Sequence, residues 1–189
     1  MNFYDIFMSP LEKGILTEIR KNIIFQAYGN VLEIGYGTGV NFQYYNPALI
    51  KNLIGLDQKT SFELKTAAPF PVQLIKGQAE NLPYPDESFD TVVETLVLYS
   101  VKKLDIVINE VLRVLKPGGI FIFIDHVLPE NQNLSSLFKA ANTFWPKIAS
   151  GCNLTREPHK LINSSGFTIE QSGTSGYDIF RWGIGRKNC

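Results

Sequence analysis

The chain has 189 residues, 44% of them hydrophobic, and its 18 Lys+Arg are matched by 18 Asp+Glu for a formal net charge of zero. That length and composition suit one globular domain with an ordinary core. The charge balance excludes the basic surface that nucleic acid requires, and the doublets Lys102-Lys103 and Arg186-Lys187 read as solvated faces.

No apolar run approaches the roughly eighteen residues that span a bilayer, and no signal-peptide pattern precedes the first helix. Cys152 and Cys189 lie far apart and without metal spacing. Reduced thiols, a cytoplasmic location and no bound metal are expected. Ser9-Pro10-Leu11-Glu12 is a helix start, with Ser9 as cap, Pro10 in the first turn and Glu12 closing a capping box. Leu11, Ile15, Ile19 and Ile23 then mark one apolar face. Tyr4 and Phe7 precede it, either as a staple onto the core or as part of a lid. Residues 1–28 are therefore assigned as an N-terminal helical lid.

Val31 to Gly39, V-L-E-I-G-Y-G-T-G, reads as a buried strand that stops in a glycine turn and enters a helix at about Val40. Glycines there permit φ > 0 and let a ligand lie on bare backbone. Glu33 precedes the first glycine by two positions, and Asp57 closes the next apolar run, L-I-G-L-D. An acid at that distance suits two vicinal ribose hydroxyls. A dinucleotide loop would carry a third glycine where Val40 stands, and Glu33 places negative charge where an ammonium is better received than a phosphate. A nucleoside cofactor bearing an ammonium is therefore favoured over a nicotinamide dinucleotide.

Further along, Ser61 to Ala68 reads as a short helix, Val72 to Lys76 as a strand and Phe89 to Glu94 as another. Leu104 to Leu115 is the clearest helix, ended by K-P-G-G, and Gly119 to Ile124 is a continuous apolar strand. Phe167 to Gln171 and Ile179 to Arg186 lie too close for a crossover and should pair as an antiparallel hairpin. The alternation predicts an α/β fold: a doubly wound, mostly parallel seven-stranded sheet, helices on both faces, an antiparallel last strand. Residues 29–128 form its cofactor-binding core and 129–189 an acceptor-site lid with the hairpin.

The loop at Val31 to Gly39 with Asp57 is similar to that of the class I S-adenosylmethionine-dependent methyltransferases. G-Q-A-E-N-L-P-Y-P-D-E-S-F-D-T-V-V and L-R-V-L-K-P-G-G-I-F resemble later segments of the same family, in order, so the likeness spans about Val31 to Val127. T-L-V-L-Y-S-V, D-H-V and W-P-K-I-A-S-G-C-N-L-T-R-E, Trp145 to Glu157, resemble more narrowly the methyltransferase-like-7 type, animal enzymes that methylate thiols of small lipophilic molecules. Ubiquinone/menaquinone-type and phospholipid N-methyltransferases are more distant in likeness. The resemblance implies a Rossmann-like fold and S-adenosyl-L-methionine as cofactor, held by Glu33, Gly35, Tyr36, Gly37, Gly39, Asp57, Gln58, Gln78, Ala79, Thr95 and Leu96. Gln78 stands where the family often has an Asp on the adenine amine, and an amide can still accept that bond. No Asn/Asp-Pro-Pro-aromatic motif follows the fourth strand, which argues against nucleobase and glutamine methylation.

Ligands in open α/β sheets bind beyond the strand carboxyl ends. This places Thr95, Leu96, Leu98, Tyr99 and Ser100 on one side of an acceptor space and Asp125 and His126 on another. His126 is the candidate base, with a loop hydrogen bond as its alternative, and Asp125 is equally open. Tyr4, Tyr99, Trp145, Asn153 and Arg156 are candidate acceptor contacts. Arg156 could instead pair near Glu157 or with the cofactor carboxylate. Phe138 and Phe144 are lid aromatics or core filler, His159 a surface residue, and Cys152 a small buried residue or a reactive thiol. The expected reaction is methyl transfer to a small, largely apolar acceptor, a thiol by resemblance. Alternatives are a lipid amine or quinone ring carbon, or a cofactor-binding protein without catalysis. The partner is a small molecule or lipid, with peripheral membrane contact allowed.

Overall fold

Short apolar runs bounded by glycine, proline and asparagine become strands, and one strongly periodic run becomes the longest helix. The computed structural model describes residues 12–59, 64, 66–128, 131–148, 151, 153–176 and 178–188. Its strands are β1 (Gly29–Ile34), β2 (Ile50–Asp57), β3 (Val72–Lys76), β4 (Phe89–Thr95), β5 (Leu115–His126), β6 (Phe167–Ser175) and β7 (Phe180–Lys187). They form a seven-stranded sheet in the order β3-β2-β1-β4-β5-β7-β6. β1 to β5 pair in parallel, while β7 runs antiparallel to both β5 and β6. The doubly wound sheet with a reversed hairpin at one edge is thus present as expected.

The helices are α1 (Thr17–Ile23), α2 (Leu104–Val114), α3 (Gln132–Ala141), α4 (Trp145–Ile148) and α5 (Pro158–Ser164). On one sheet face, α2 buries Val107, Ile108, Val111 and Val114 against Leu32, Ile34, Val92, Phe121 and Phe123, with Ile162 of α5 joining them. Burying one such side chain stabilises by about 1.5–3 kcal/mol. The other face packs Ile19 and Ile23 of α1 against Val31, Val93, Ile122 and Ile124. None of the helices among the described residues is long and apolar enough to cross a membrane.

Four local expectations change. The cap at Ser9 lies outside the described residues, and a π-helical turn over Glu12–Leu16 leads into α1. The helix expected after Gly39 is only a five-residue 3-10 turn, Val40–Tyr44. Asn46-Pro47 follows it, and the residue before a proline disfavours helix. The helix expected over Ser61 to Ala68 falls largely outside the described residues, and 64 and 66–68 are not helical. Finally, K-P-G-G does not separate helix from strand, because β5 begins at Leu115 directly after α2. The pairing passes from Phe89↔Leu115 to Thr91↔Ile120, so Lys116 to Gly119 form a bulge inside the strand. Gly118 takes φ 74 there, and Lys116 Nζ reaches Asp90 Oδ1 at 2.6 Å.

The hairpin edge depends on a close approach at Gly183. A Cβ on it would lie 2.9 Å from the Gln171 carbonyl oxygen and 2.5 Å from Phe123 Cζ. Gly183→Ala is expected to lower unfolding free energy by roughly 1–3 kcal/mol, because backbone and ring cannot both withdraw. Urea denaturation measures it, and an unchanged midpoint would show that this contact is loose.

Candidate functional site

The carboxyl ends of β1, β2 and β4 meet at one rim. β1 stops at Ile34, and Gly35 (φ 70), Gly37 (φ 51) and Gly39 (φ 72) all take left-handed backbone. A Cβ on Gly37 would meet only the Gly35 carbonyl oxygen, at 3.9 Å, so the backbone there is bare and open on that side. Gly35 N–H donates to Leu56 O at 2.6 Å, tying the loop to β2. Asp57, at the end of β2, accepts the Gly37 N–H at 3.1 Å on Oδ2 and the Lys59 N–H at 2.9 Å on Oδ1. Its own carbonyl takes the Gly77 N–H at 2.9 Å, drawing the turn at Gln78 alongside. Glycine loop, Asp57, the exposed Gln58 and the exposed Gln78 are therefore brought together. Ala79, next to Gln78, is 4% exposed and packs into the core. Tyr36 is buried and stacks on Phe42 at 6.2 Å. Burial, then the charge of Asp57, pushes its phenol pKa up.

Glu33 is not the open carboxylate that the spacing suggests. It is 1% exposed and accepts Tyr45 Oη–H at 2.7 Å and Asn41 Nδ2–H at 3.0 Å. Asn41 Nδ2 also donates to Thr95 Oγ1 at 3.0 Å, so one amide links β1 to β4 across the rim. Burial lifts the Glu33 pKa to about 7, against the two hydrogen bonds and the charge of the buried Arg20, which pull it down. Asn41 Oδ1 is buried without a donor. A bare glycine loop, a rim carboxylate and an unmet acceptor beside Glu33 fit a ligand that brings a ribose and an ammonium.

At β4, Leu96 takes φ 58 and donates its N–H to Ile124 O at 2.8 Å. Thr95 and Leu96 are half-buried at this rim, but Tyr99 is 1% exposed. Its ring lies flat on His126, centroids 3.2 Å apart, beneath Trp145 and Leu154. His126 is 7% exposed, and burial drops its pKa to about 3. So weak a base does not suit proton abstraction near neutrality, and His126 serves the stack instead.

Arg156 turns toward the loop after β4. Its Nη1 donates to the carbonyls of Leu98, at 3.1 Å, and Val101, clamping the loop after β4. Asn153 turns its Oδ1 onto Thr155, and its N–H goes to Tyr99 O at 3.2 Å. Asn142 Oδ1 accepts the Leu154 N–H at 2.7 Å. Residues 153–156 thus pin the β4 loop to the lid rather than offering free polar groups. Trp145 and Phe138 are half-buried and Phe144 is 68% exposed. Tyr4 and Cys152 lie outside the described residues, and His159 is half-buried. Sequence reasoning missed Asn41 and Tyr45 as partners of Glu33, although both follow the glycine turn at a distance that reaches back. It also missed Glu94, 0% exposed on β4, whose signal is an acid inside an apolar strand. No group of three potential metal ligands occurs among the described residues. An open cleft of about 640 Å³ lies at the opposite rim, near Asn30, Asn52, Phe70 and Gln73, away from this constellation.

Comparison with known proteins gives the same direction. A methyltransferase-domain family profile matches residues 32–123. Human thiol S-methyltransferase TMT1A is 35% identical over 148 residues, covering 74% of this chain and 60% of that protein. The Rattus norvegicus thiol S-methyltransferase TMT1B is 36% identical over 150 residues, 75% of this chain and 61% of that one. The chain thus spans about 60% of the length of these relatives. A phosphatidylethanolamine N-methyltransferase from Cereibacter sphaeroides is 30% identical over 125 residues, 61% of this chain and 60% of that protein. In structure, an S-adenosylmethionine-dependent methyltransferase from Mesorhizobium loti superposes with TM-score 0.73 over 94% of this chain and 100% of that one. At 15% identity this shows the fold alone.

Glu33 gives a pH prediction. Its folded-state pKa of about 7 exceeds the ordinary 4.5, so the folded chain keeps a proton that the unfolded chain releases between those values. The group favours folding below pH 4.5, and that advantage is lost as pH rises through 7. The loss is on the order of 3 kcal/mol at about 1.4 kcal/mol per unit of pKa. Glu33→Gln should therefore gain stability relative to the parent chain progressively across this window. Denaturant unfolding at pH 4.5, 6 and 8 measures it, and a pH-independent difference would contradict the buried-carboxylate account.

Proposed function

Because the chain belongs to the class I S-adenosylmethionine-dependent methyltransferases, we propose that it transfers a methyl group to a small, largely apolar acceptor, a thiol by first choice. The observation that carries the cofactor half is the junction of the open glycine loop with Asp57 and Gln78 at a single rim. When bound, S-adenosylmethionine supplies a methyl group on a sulfonium that is its own leaving group. The chain's part is to bind, align and exclude water. Asp57 would take the ribose hydroxyls, releasing the Gly37 N–H it now accepts. The backbone of Gly35 to Gly39 and of Thr95 and Leu96 would flank the amino-acid end, with Asn41 Oδ1 and Glu33 setting its polarity. Gln78 would face the base. The acceptor space lies beyond β4 and β5, under the segment that contains Trp145 and Phe138.

The thiol is favoured by the extent of similarity to the thiol S-methyltransferases, which runs over 148 residues. A lipid amine is the second reading, favoured by the similarity to the phosphatidylethanolamine enzyme. A thiol needs little base catalysis, since its pKa of about 8.5 leaves a usable thiolate fraction near neutrality. The pKa of His126, about 3, suits such an acceptor better than an amine that must first lose a proton.

Two experiments test this. Calorimetry with S-adenosylhomocysteine should show binding that NAD does not match, and Asp57→Ala should weaken it by about 1.5–3 kcal/mol, the worth of a hydrogen bond to a charged group. Preference for NAD would overturn the cofactor assignment. A transfer assay with labelled cofactor should then methylate alkyl thiols faster than phosphatidylethanolamine or quinone precursors. Activity confined to the lipid amine would replace the first reading with the second.

A further inference from the structure

Two acids stand where the pattern of the central strands otherwise supplies aliphatics. Glu94 is next to last in β4 and 0% exposed, and Asp125 is next to last in β5 and 2% exposed. Glu94 is in register with Phe123, two residues before Asp125. Both carboxyls therefore project from adjacent strands toward the α2 face, where each shifts the other's titration. Two carboxyls so placed and buried share a proton rather than both ionise. Glu94 Oε2 also accepts the Val97 N–H at 3.2 Å. Glu94 Oε1 and both Asp125 oxygens are buried and meet no N–H or hydroxyl donor, so the shared proton is what satisfies them.

The surroundings offer no substitute for it. β1 gives Glu94 the aliphatic neighbour Ile34, and Glu33 points to the opposite face. α2 presents Val107, Ile108 and Val111. Arg181 on β7 is in register with Asp125, and on α5 the pKa of His159 is lowered by burial and then by Arg181. Arg156 is committed to the carbonyls of Leu98 and Val101. His126 is neutral against Tyr99. The upward shift at Asp125 comes from burial, the hydrogen bond from Glu94 opposes it, and no cation is among its causes.

We infer that Glu94 and Asp125 form a one-proton pair that positions the 95–98 loop, and with it Thr95 and Leu96, for the cofactor. This rests on the reading of that rim as the cofactor site. With one proton present it sits on Glu94, whose hydroxyl donates to Asp125 while its Oε2 still accepts the Val97 N–H. That bond steadies the turn in which Leu96 keeps φ 58, a backbone conformation unfavourable for a side chain that size. Removing the proton sets two carboxylates together in an apolar core. The least costly relief is outward movement of the β4 rim, which the Val97 bond now fixes. Burial lifts Asp125 to about 8 and Glu94 well above the usual carboxylate range, so the pair takes on negative charge only above neutrality. Both residues are positioning residues, since neither is placed against the reacting atoms.

The test is the affinity for S-adenosylhomocysteine from pH 6 to pH 9.5 in the parent chain, Glu94→Gln and Asp125→Asn. Each amide variant can keep the inter-strand hydrogen bond but cannot form a doubly charged pair. Each profile is referred to that protein's own affinity at pH 7. The parent should then weaken by at least about tenfold more than either variant by pH 9.5, as one-proton linkage requires. Titration of the ligand's own ammonium is common to all three and cancels. Parallel profiles would overturn the inference, as would a variant that falls as steeply as the parent. If one variant does not fold, the other carries the comparison. If nothing binds at any pH, the cofactor reading fails. The pair is then read separately by carboxyl-carbon NMR of the ligand-free chain, where two carboxyls titrating at ordinary values would overturn it.

Discussion

A carboxylate buried at the end of β1 constrains everything around the site. Glu33 cannot reach water at 1% exposure, and a buried charge must be met by hydrogen bonds or lose its charge. The chain meets it locally, by turning at three left-handed glycines and bringing Asn41 and Tyr45 back over the strand. The 3-10 turn after Gly39 is short for this reason as well as for Pro47. Its job is to return two side chains, and a regular helix of the usual length would carry Tyr45 away from Glu33. The same Asn41 then holds Thr95, so the geometry of the β4 rim follows from the neutralisation of one acid on β1.

The strands were legible from short apolar runs: Val72–Lys76 stands where its run indicates even though it is a half-buried to exposed edge strand, and the hairpin direction follows from too few intervening residues for a crossover. The α2 helix was legible from a single apolar face. What could not be read was where a helix hands over to a strand without a loop. K-P-G-G is ordinary helix-ending chemistry, and only the pairing with β4 reveals that it is absorbed as a bulge in β5. The meeting of the glycine turn with Asp57 was legible because glycine spacing and a distant acid carry chemistry in their order. The acceptor side was not. Tyr99, Asn153 and Arg156 have side chains that suit ligand contact equally well, and only the fold shows them set on His126, on Thr155 and on backbone carbonyls.

That use has a consequence for specificity. The segment G-C-N-L-T-R-E is distinctive, and the described part of it works by fixing a neighbour. Arg156 clamps the carbonyls of the β4 loop, Asn153 pairs with the backbone of Tyr99, and Asn142 of the lid holds Leu154. The first two join this segment to the loop that also carries Thr95 and Leu96, and the third ties the segment to the lid helix. Acceptor choice and cofactor contact are thereby mechanically joined, although the residues that would touch acceptor and cofactor lie on different segments.

The rim holds its acids in three different states, and their environments explain why. Asp57 is at the surface, satisfied by backbone N–H groups of Gly37 and Lys59, and free to exchange them for hydroxyls. Glu33 is buried and held by two donors, so it stands near the balance between charged and neutral at physiological pH. Glu94 and Asp125 are buried with each other, so a proton takes the place of a donor. On β1, β4 and β5 the acids are buried and held above the ordinary carboxylate range. Negative charge is thus withdrawn from the side of the rim that the proposed acceptor would approach. Under the proposed reading, a thiolate entering there would meet less repulsion than it would beside an ionised pair.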